Sequence, residues 1–183
     1  MENIEQELKS HLLNKEIVDI EFFNLNDSYL VINPESKWVF DGGIQINFTD
    51  AVFSIGWDYE SEGFDFSMEN TIDDFLGDEE YFPAGTKQIP GIVKLIGSNI
   101  KQVNIKWDYY QNMDEEGEII PEKIFIPVEL LMTFETDETL QLALVSYQIK
   151  DEPFELTDLE FNQSGELLVS LNDVVAIKET SHQ

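Results

Sequence analysis

The feature that most constrains this fold is a two-residue alternation of apolar and polar side chains, which recurs along the chain. Val18, Ile20 and Phe22 alternate with acidic residues. This period places every second side chain on one face and is typical of a half-buried β-strand. The same alternation occurs over residues 44–48, 52–57, 103–107 and 132–144, and short apolar runs beside turn residues predict further strands over 29–32, 37–40 and 166–171. The sequence therefore predicts a fold in which antiparallel strands predominate.

Two segments depart from this alternation. Ile4, Leu8 and Leu12 recur every four residues, which predicts a short amphipathic helix over residues 2–14. Residues 58–90 are acidic and contain two prolines, so we expect a long connection with one helical turn. Helix is thus a minority beside the strands, and the sequence predicts an α+β fold.

The second half of the sequence repeats the order of elements in the first half. Three pairs of segments correspond, with offsets of 83 to about 87 residues: 12–17 with 95–100, 18–22 with 103–107, and 46–50 with 132–137. We expect two similar sheet-rich halves, residues 1–90 and 91–183, each opened by a short helix. The alternatives are one continuous sheet or domain built from both halves, and the loose self-alignment that any β-rich chain shows by chance.

The charge of the chain is strongly unbalanced. Its 183 residues include 38 acidic and 10 basic ones, giving a formal net charge of −28. All ten basic residues are lysines, so no arginine can form a bidentate contact with phosphate. Such a chain repels nucleic acids and anionic membranes. Because a net charge of about 2–8 already serves solubility, the excess predicts a cationic partner.

The compartment follows from what the sequence lacks. It holds no cysteine, which excludes disulfides, thiolate metal sites and a cysteine nucleophile. The first residues lack the basic and apolar regions of a signal peptide, and no apolar run has the length needed to cross a bilayer. We therefore expect a cytoplasmic protein.

Few residues could support catalysis or hold a cofactor. His11 lies on the predicted helix and His182 is next to last in the chain, so neither suits a catalytic relay or a zinc site. Residues 112–119 resemble the first part of an EF-hand loop, but Lys123 stands where that loop needs a bidentate glutamate. We expect no enzymatic activity, no cofactor and no metal.

Two segments combine aromatic rings with acids, and each ends a predicted strand before an acidic run. Large amphipathic rings supply buried contact area, whereas carboxylates attract and orient a basic partner. Alternatively, the tryptophans belong to the core and the acids are solvated turn residues. The candidate partner-binding residues are Trp57, Asp58, Tyr59, Glu60, Glu62, Asp65, Trp107, Asp108, Tyr109 and Tyr110.

In composition and build, this small, acidic, cysteine-free chain resembles the bacterial immunity proteins that neutralise toxins. The resemblance implies a non-enzymatic protein that sequesters or inhibits a basic protein partner, such as a toxin. It carries no site residue with it. One alternative is a carboxylate-based site for a divalent metal or a carbohydrate, with hydrolytic activity, between the two halves. Another is an assembly module whose sheets pair edge to edge into a homodimer.

Overall fold

Antiparallel strands make up most of the molecule. The computed structural model describes residues 2–26, 29–59, 62–77, 80–85, 89, 91–111, 116, 118–151 and 154–179. Within these residues the chain forms twelve strands and two α-helices. The predicted predominance of antiparallel β-structure in an α+β fold is confirmed.

The helices are short, and in the described ranges neither is long and apolar enough to span a membrane. They are α1 (Glu2–Leu12) and α2 (Asp73–Leu76). A 3₁₀ turn over Ile92–Leu95 opens the second half of the chain. The strands are β1 (Ile17–Asn24), β2 (Leu30–Asn33), β3 (Lys37–Phe40), β4 (Gly43–Phe48), β5 (Val52–Asp58), β6 (Gly63–Ser67), β7 (Phe82–Gly85), β8 (Ile100–Tyr110), β9 (Ile124–Phe134), β10 (Thr139–Asp151), β11 (Phe154–Phe161) and β12 (Glu166–Leu171).

The strands form two sheets. The first has the order β6-β5-β4-β1-β7, and the second has the order β2-β3-β12-β10-β9-β8. The remaining strand, β11, pairs with the C-terminal part of β10. Strands β2 and β3 come from the first half of the chain but join the second sheet, where Phe40 of β3 pairs with Leu167 of β12. The two halves of the sequence therefore share a sheet.

The inner faces of both sheets bury their apolar residues in one continuous cluster. Phe22 of β1 stacks on Phe40 of β3 with ring centroids 4.5 Å apart, so the two sheets are in direct contact. Leu8 and Leu12 of α1 are fully buried in the same cluster. Because burying apolar surface stabilises by about 25 cal/mol per Å², this shared core holds the sheets together.

The short helix α2 covers the outer face of the first sheet. Ile72 and Leu76 pack against Phe23 of β1 there. Gly56 of β5 permits this packing, because a Cβ at that position would lie 2.8 Å from the side chain of Phe75. The helical turn predicted within residues 58–90 is confirmed by α2.

The two chain segments that precede β1 and β8 meet in a small hydrogen-bonded junction. The N–H of Asn14 donates to the carbonyl of Ile100 at 2.9 Å, and the N–H of Gly97 donates to the carbonyl of Ile17 at 2.8 Å. Two further bonds run from Ile17 to Ser98 and from Ile100 to Lys15. Asn14 and Gly97 both have a left-handed backbone, with φ of 59° and 78°.

Residues 58–90 contain more regular structure than the sequence suggested. Besides α2, they form β6, which pairs with β5, and β7, which pairs with β1. The alternation in β6 is limited to Phe64 and Phe66, too short to stand out from an acidic stretch. Strand β7 contains Pro83, which an edge strand tolerates.

The opening of the second half is also different from the expectation. It is a 3₁₀ turn rather than a second α-helix, because only a few residues lie between Gly91 and Gly97. The division into two similar halves at residue 90 stays a prediction. Most of the stretch that resembles an EF-hand loop (residues 112–115 and 117), together with His182, lies outside the described residues.

Candidate binding site

The two predicted tryptophans are half-buried, and both pack against phenylalanine side chains of strand β6. Trp57 packs edge to face on Phe64, with ring centroids 5.6 Å apart. Trp107 packs in the same way on Phe66, at 5.9 Å. Strand β6 thus brings together the two Trp-Asp-Tyr segments, which are about 50 residues apart in sequence.

Asp65 and Tyr110 form the most perturbed part of this region. Burial raises the pKa of Asp65, and the nearby charge of Asp58 adds to the effect. The N–H of Phe66 donates to Asp65 Oδ1 at 2.8 Å, and this hydrogen bond partly offsets the rise in the pKa of Asp65. Burial also raises the pKa of the Tyr110 phenol, with a further contribution from the charge of Asp65. These groups therefore lie close enough to sense one another.

The other predicted residues surround this centre. Tyr59 and Glu62 are exposed, whereas Asp108 and Tyr109 are half-buried. The Lys123 ammonium lies 3.6 Å from the centroid of the Tyr109 ring. Glu60 is outside the described residues. We use the term hairpin surface for Trp57, Asp58, Tyr59, Glu62, Asp65, Trp107, Asp108, Tyr109 and Tyr110.

The β5–β6 hairpin is held in place by the turn between β11 and β12. The N–H of Phe64 donates to the carbonyl of Gln163 at 3.1 Å. The Ser164 hydroxyl donates to the carbonyl of Glu62 at 3.0 Å. These bonds fix the hairpin from a position about 100 residues further along the chain, so the hairpin surface is mounted on the second sheet.

A cleft that the sequence did not predict lies beside Trp57. It consists of a cavity of about 480 Å³ and a neighbouring one of about 290 Å³. Asp41, Tyr147 and Glu166 line both cavities. We call this pair of cavities the inter-sheet cleft, because Asp41 follows β3, Tyr147 lies on β10, and Trp57 comes from the first sheet.

Tyr147 is positioned at a β-bulge at the centre of this cleft. The ladder between β10 and β11 shifts register between Ser146 and Gln148, and opposite this shift Asp158 has a left-handed φ of 50°. Bulges commonly redirect a side chain beside a functional site. The Tyr147 hydroxyl donates to Glu166 Oε2 at 2.6 Å. Burial raises the pKa of Tyr147, and the hydrogen bond to the Glu166 carboxylate raises it further. The phenol therefore stays protonated.

Asp41 accepts hydrogen bonds only from uncharged groups in the described part of the chain. The N–H of Leu25 donates to its Oδ1 at 2.8 Å, and the side-chain amide of Asn26 donates to its Oδ2. No lysine lines the two cavities among their described residues. The described lining of the cleft therefore concentrates negative charge and contributes no lysine of its own.

Most described cations are instead engaged elsewhere on the molecule. Seven lysines each form an ion pair with a carboxylate, at Nζ–O distances of 2.6–3.6 Å. The pairs are Lys9–Glu5, Lys15–Asp50, Lys37–Asp173, Lys101–Asp137, Lys106–Glu179, Lys150–Glu155 and Lys178–Asp158.

Little in the described ranges suggests a metal site or a catalytic histidine. No group of three or more histidine, aspartate or glutamate side chains in those ranges is arranged to hold a metal ion. His11 is half-buried, and its Nε2 lies 2.8 Å from the carbonyl of Val52, consistent with a structural role.

Comparison of the chain with protein-family models, with curated proteins and with solved structures found no match.

The inter-sheet cleft had no signal in the sequence, because Asp41, Tyr147 and Glu166 lie on three separate segments of the chain. The Asp-Gly-Gly sequence at residues 41–43 predicts a turn at one edge of the cleft, but it does not indicate a binding site.

Proposed function

We propose that this protein is a non-enzymatic binding protein of the cytoplasm that sequesters or inhibits a basic protein partner, such as a toxin. The observation that carries the proposal is the distribution of charge. Seven of its lysines are paired with its own carboxylates, while a formal charge of −28 remains. A partner therefore meets a surface with a large excess of negative charge, which accelerates the capture of a basic protein.

The hairpin surface is the proposed contact area. It combines five aromatic residues, each half-buried or exposed, with carboxylates, and aromatic anchors surrounded by charge are typical of interface hot spots. Hydrogen bonds to the second sheet hold it in one geometry. A preformed surface loses less conformational entropy on binding than a flexible one.

We also propose that residues 1–90 and 91–183 are copies of one duplicated unit. Asn14, Lys15 and Ile17 correspond to Gly97, Ser98 and Ile100 at an offset of 83 residues. If each residue is exchanged for its counterpart in the other half, the hydrogen bond from Asn14 to Ile100 corresponds to the one from Gly97 to Ile17. The other two junction hydrogen bonds correspond to each other in the same way. The pairing order β1-β4-β5-β6 also matches β8-β9-β10-β11.

A second candidate function is a carboxylate-based site for a divalent metal or a carbohydrate. The acidic inter-sheet cleft is the observation that favours it. Calorimetric titration with calcium and with simple sugars tests this candidate. Heat of binding that disappears in a Glu166→Gln variant would support it over the basic-partner proposal.

Affinity capture with two matched variants tests the main proposal. The hairpin variant carries Asp58→Lys and Glu62→Lys. The control variant carries Glu16→Lys and Glu35→Lys, so both have a net charge of −24. Glu16 pairs with Asn99 ahead of β8, whereas the hairpin surface lies at the far end of β8, about 26–36 Å away along the strand at about 3.3 Å per residue.

We expect the tagged wild-type protein and the control variant to retain the same basic protein from the cells of origin at low salt. The hairpin variant should retain several-fold less of it, and high salt should release it from all three. Equal retention by the hairpin and control variants would contradict the proposed contact surface. Failure to retain any basic protein would contradict the proposed function.

A further inference from the structure

We propose that the inter-sheet cleft is a binding site for a guanidinium group, either of a small molecule or of an arginine side chain. The site is distinct from most of the hairpin surface and shares only Trp57 with it. It does not depend on the proposed partner, because a free guanidinium compound would fill the same space.

The hydrogen-bonding groups in the cleft are mainly acceptors. Asp41 and Glu166 supply carboxylate oxygens that, among the described residues, accept hydrogen bonds from uncharged donors only. Asn24 lines the smaller cavity with a side chain that is 2 % exposed, and its Oδ1 accepts no hydrogen bond from any described residue. A buried carbonyl oxygen without a donor costs free energy. A ligand rich in N–H groups is the complement of this arrangement.

The walls of the cleft are aromatic and rigid. Tyr29 lines the smaller cavity and stacks on Phe40 at 5.0 Å, and Trp57 lines the larger one and packs on Phe64. Tyr147 lies between them and is held by its bond to Glu166. Aromatic faces attract cations, and the planar guanidinium stacks on them better than an ammonium does.

The charge and shape of the cleft favour guanidinium over other cations. A guanidinium has five N–H donors in a plane, enough in number to pair with two carboxylates and the Asn24 Oδ1, whereas calcium requires six to eight oxygen ligands. The chain contains no arginine at all. The guanidinium must therefore come from another molecule.

Isothermal titration calorimetry on the full-length protein tests this site directly. The ligands are agmatine, free L-arginine and N-acetyl-L-arginine amide, with N-acetyl-L-citrulline amide as the neutral isostere and N-acetyl-L-lysine amide as the ammonium control. The variants are Asp41→Asn and Glu166→Gln, with Glu35→Gln on the exposed β2–β3 turn as the matched control. Amide proton NMR spectra establish that each variant is folded.

We expect the guanidinium ligands to bind at least tenfold more tightly than the citrulline and lysine analogues. Each cleft variant should weaken this binding at least tenfold, and Glu35→Gln should leave it unchanged. Tightest binding of agmatine indicates a free small molecule, whereas tightest binding of the arginine amide indicates an arginine side chain.

Three results would overturn the site. These are the absence of binding by all three guanidinium compounds at 10 mM or so, equal binding of the citrulline analogue, and unchanged binding in both cleft variants. If one cleft variant fails to fold, guanidinium binding by the other variant still tests the site, because Asp41 and Glu166 are proposed to contact the same ligand. Loss of partner capture with intact guanidinium binding would count against the proposed function alone.

Discussion

Asp65 shows how a single residue can be a cost to the fold. It lies in the middle of β6, where burial raises its pKa and where Asp58 supplies a second negative charge. The folded state therefore holds a proton on Asp65 more tightly than the unfolded chain does. The protonated form of Asp65 is compatible with burial, and the charged form is not. The free energy of unfolding therefore decreases as the pH rises through the folded-state pKa of Asp65. Residues retained at such a cost are often functional.

The first prediction concerns the substitution Asp65→Asn. The amide oxygen can still accept from the N–H of Phe66, but the buried charge is removed. We expect a higher Tm than wild type at pH 7, and a difference that disappears below the ordinary aspartate pKa of about 3.9. Thermal unfolding followed by circular dichroism between pH 3 and 8 measures this.

The exposed variant Glu69→Gln serves as the control, and its stability should change by less than about 0.5 kcal/mol. A lower Tm for Asp65→Asn at pH 7 would mean that the Asp65 charge is stabilised by contacts beyond those identified.

At the scale of elements, the junction between the two halves places different residues in equivalent conformations. Asn14 and Gly97 both have positive φ and both donate an N–H to the opposite half. Glycine adopts this conformation without strain, whereas an asparagine does so at some cost.

The second prediction follows from this difference. Asn14→Gly should be neutral or stabilise the protein by up to about 1 kcal/mol, and Gly97→Ala should destabilise it by about 1 kcal/mol. A Cβ at Gly97 would meet no atom within 4 Å, so the cost is conformational and not a clash. Urea unfolding measures both changes. A destabilising Asn14→Gly would show that the asparagine side chain is required at the junction.

The elements that could be predicted from the sequence are those with a regular apolar period. Helix α1 had such a period, and so did β1, β4, β5 and parts of β8, β9 and β10, whereas β2, β3 and β12 were visible as short apolar runs beside turn residues. Strand β11 had neither pattern, because Leu156 and Leu159 are three residues apart in sequence on either side of the bulge, and Phe161 is the one buried residue of the strand. The pairing of β3 with β12 depends on contacts between distant segments, which local patterns do not encode.

One part of the candidate site could be predicted from the sequence, and the other part could not. The two Trp-Asp-Tyr segments were visible in the sequence as a repeated motif, and β6 brings them together. The inter-sheet cleft was not visible, because it exists only when β3, β10 and β12 lie side by side. Physical proximity of Asp41, Tyr147 and Glu166 is a property of the sheet order alone.

The charge of the whole molecule sets its response to salt. Exposed ion pairs contribute about 0–1 kcal/mol each, whereas repulsion among unpaired carboxylates acts over the whole surface. The screening length falls from about 30 Å at 10 mM salt to about 8 Å at 150 mM. Screening should therefore remove more repulsion than attraction.

The third prediction is that added salt stabilises this protein. Raising NaCl from 10 to 300 mM should raise the Tm by at least about 2 °C, which corresponds to roughly 1 kcal/mol for a chain of this size. KCl should have the same effect, because screening does not distinguish the two cations. A Tm that falls with salt would show that the ion pairs outweigh the repulsion.

The most direct test of the proposed function is the rate constant for association with the captured basic partner, measured by stopped-flow mixing as a function of ionic strength. We predict a rate constant above about 10⁷ M⁻¹s⁻¹ at low salt that falls at least tenfold by 500 mM salt. The Asp58→Lys, Glu62→Lys variant should associate several-fold more slowly than the Glu16→Lys, Glu35→Lys control of equal charge. A rate constant independent of salt, and equal in the two variants, would contradict electrostatic capture by the hairpin surface.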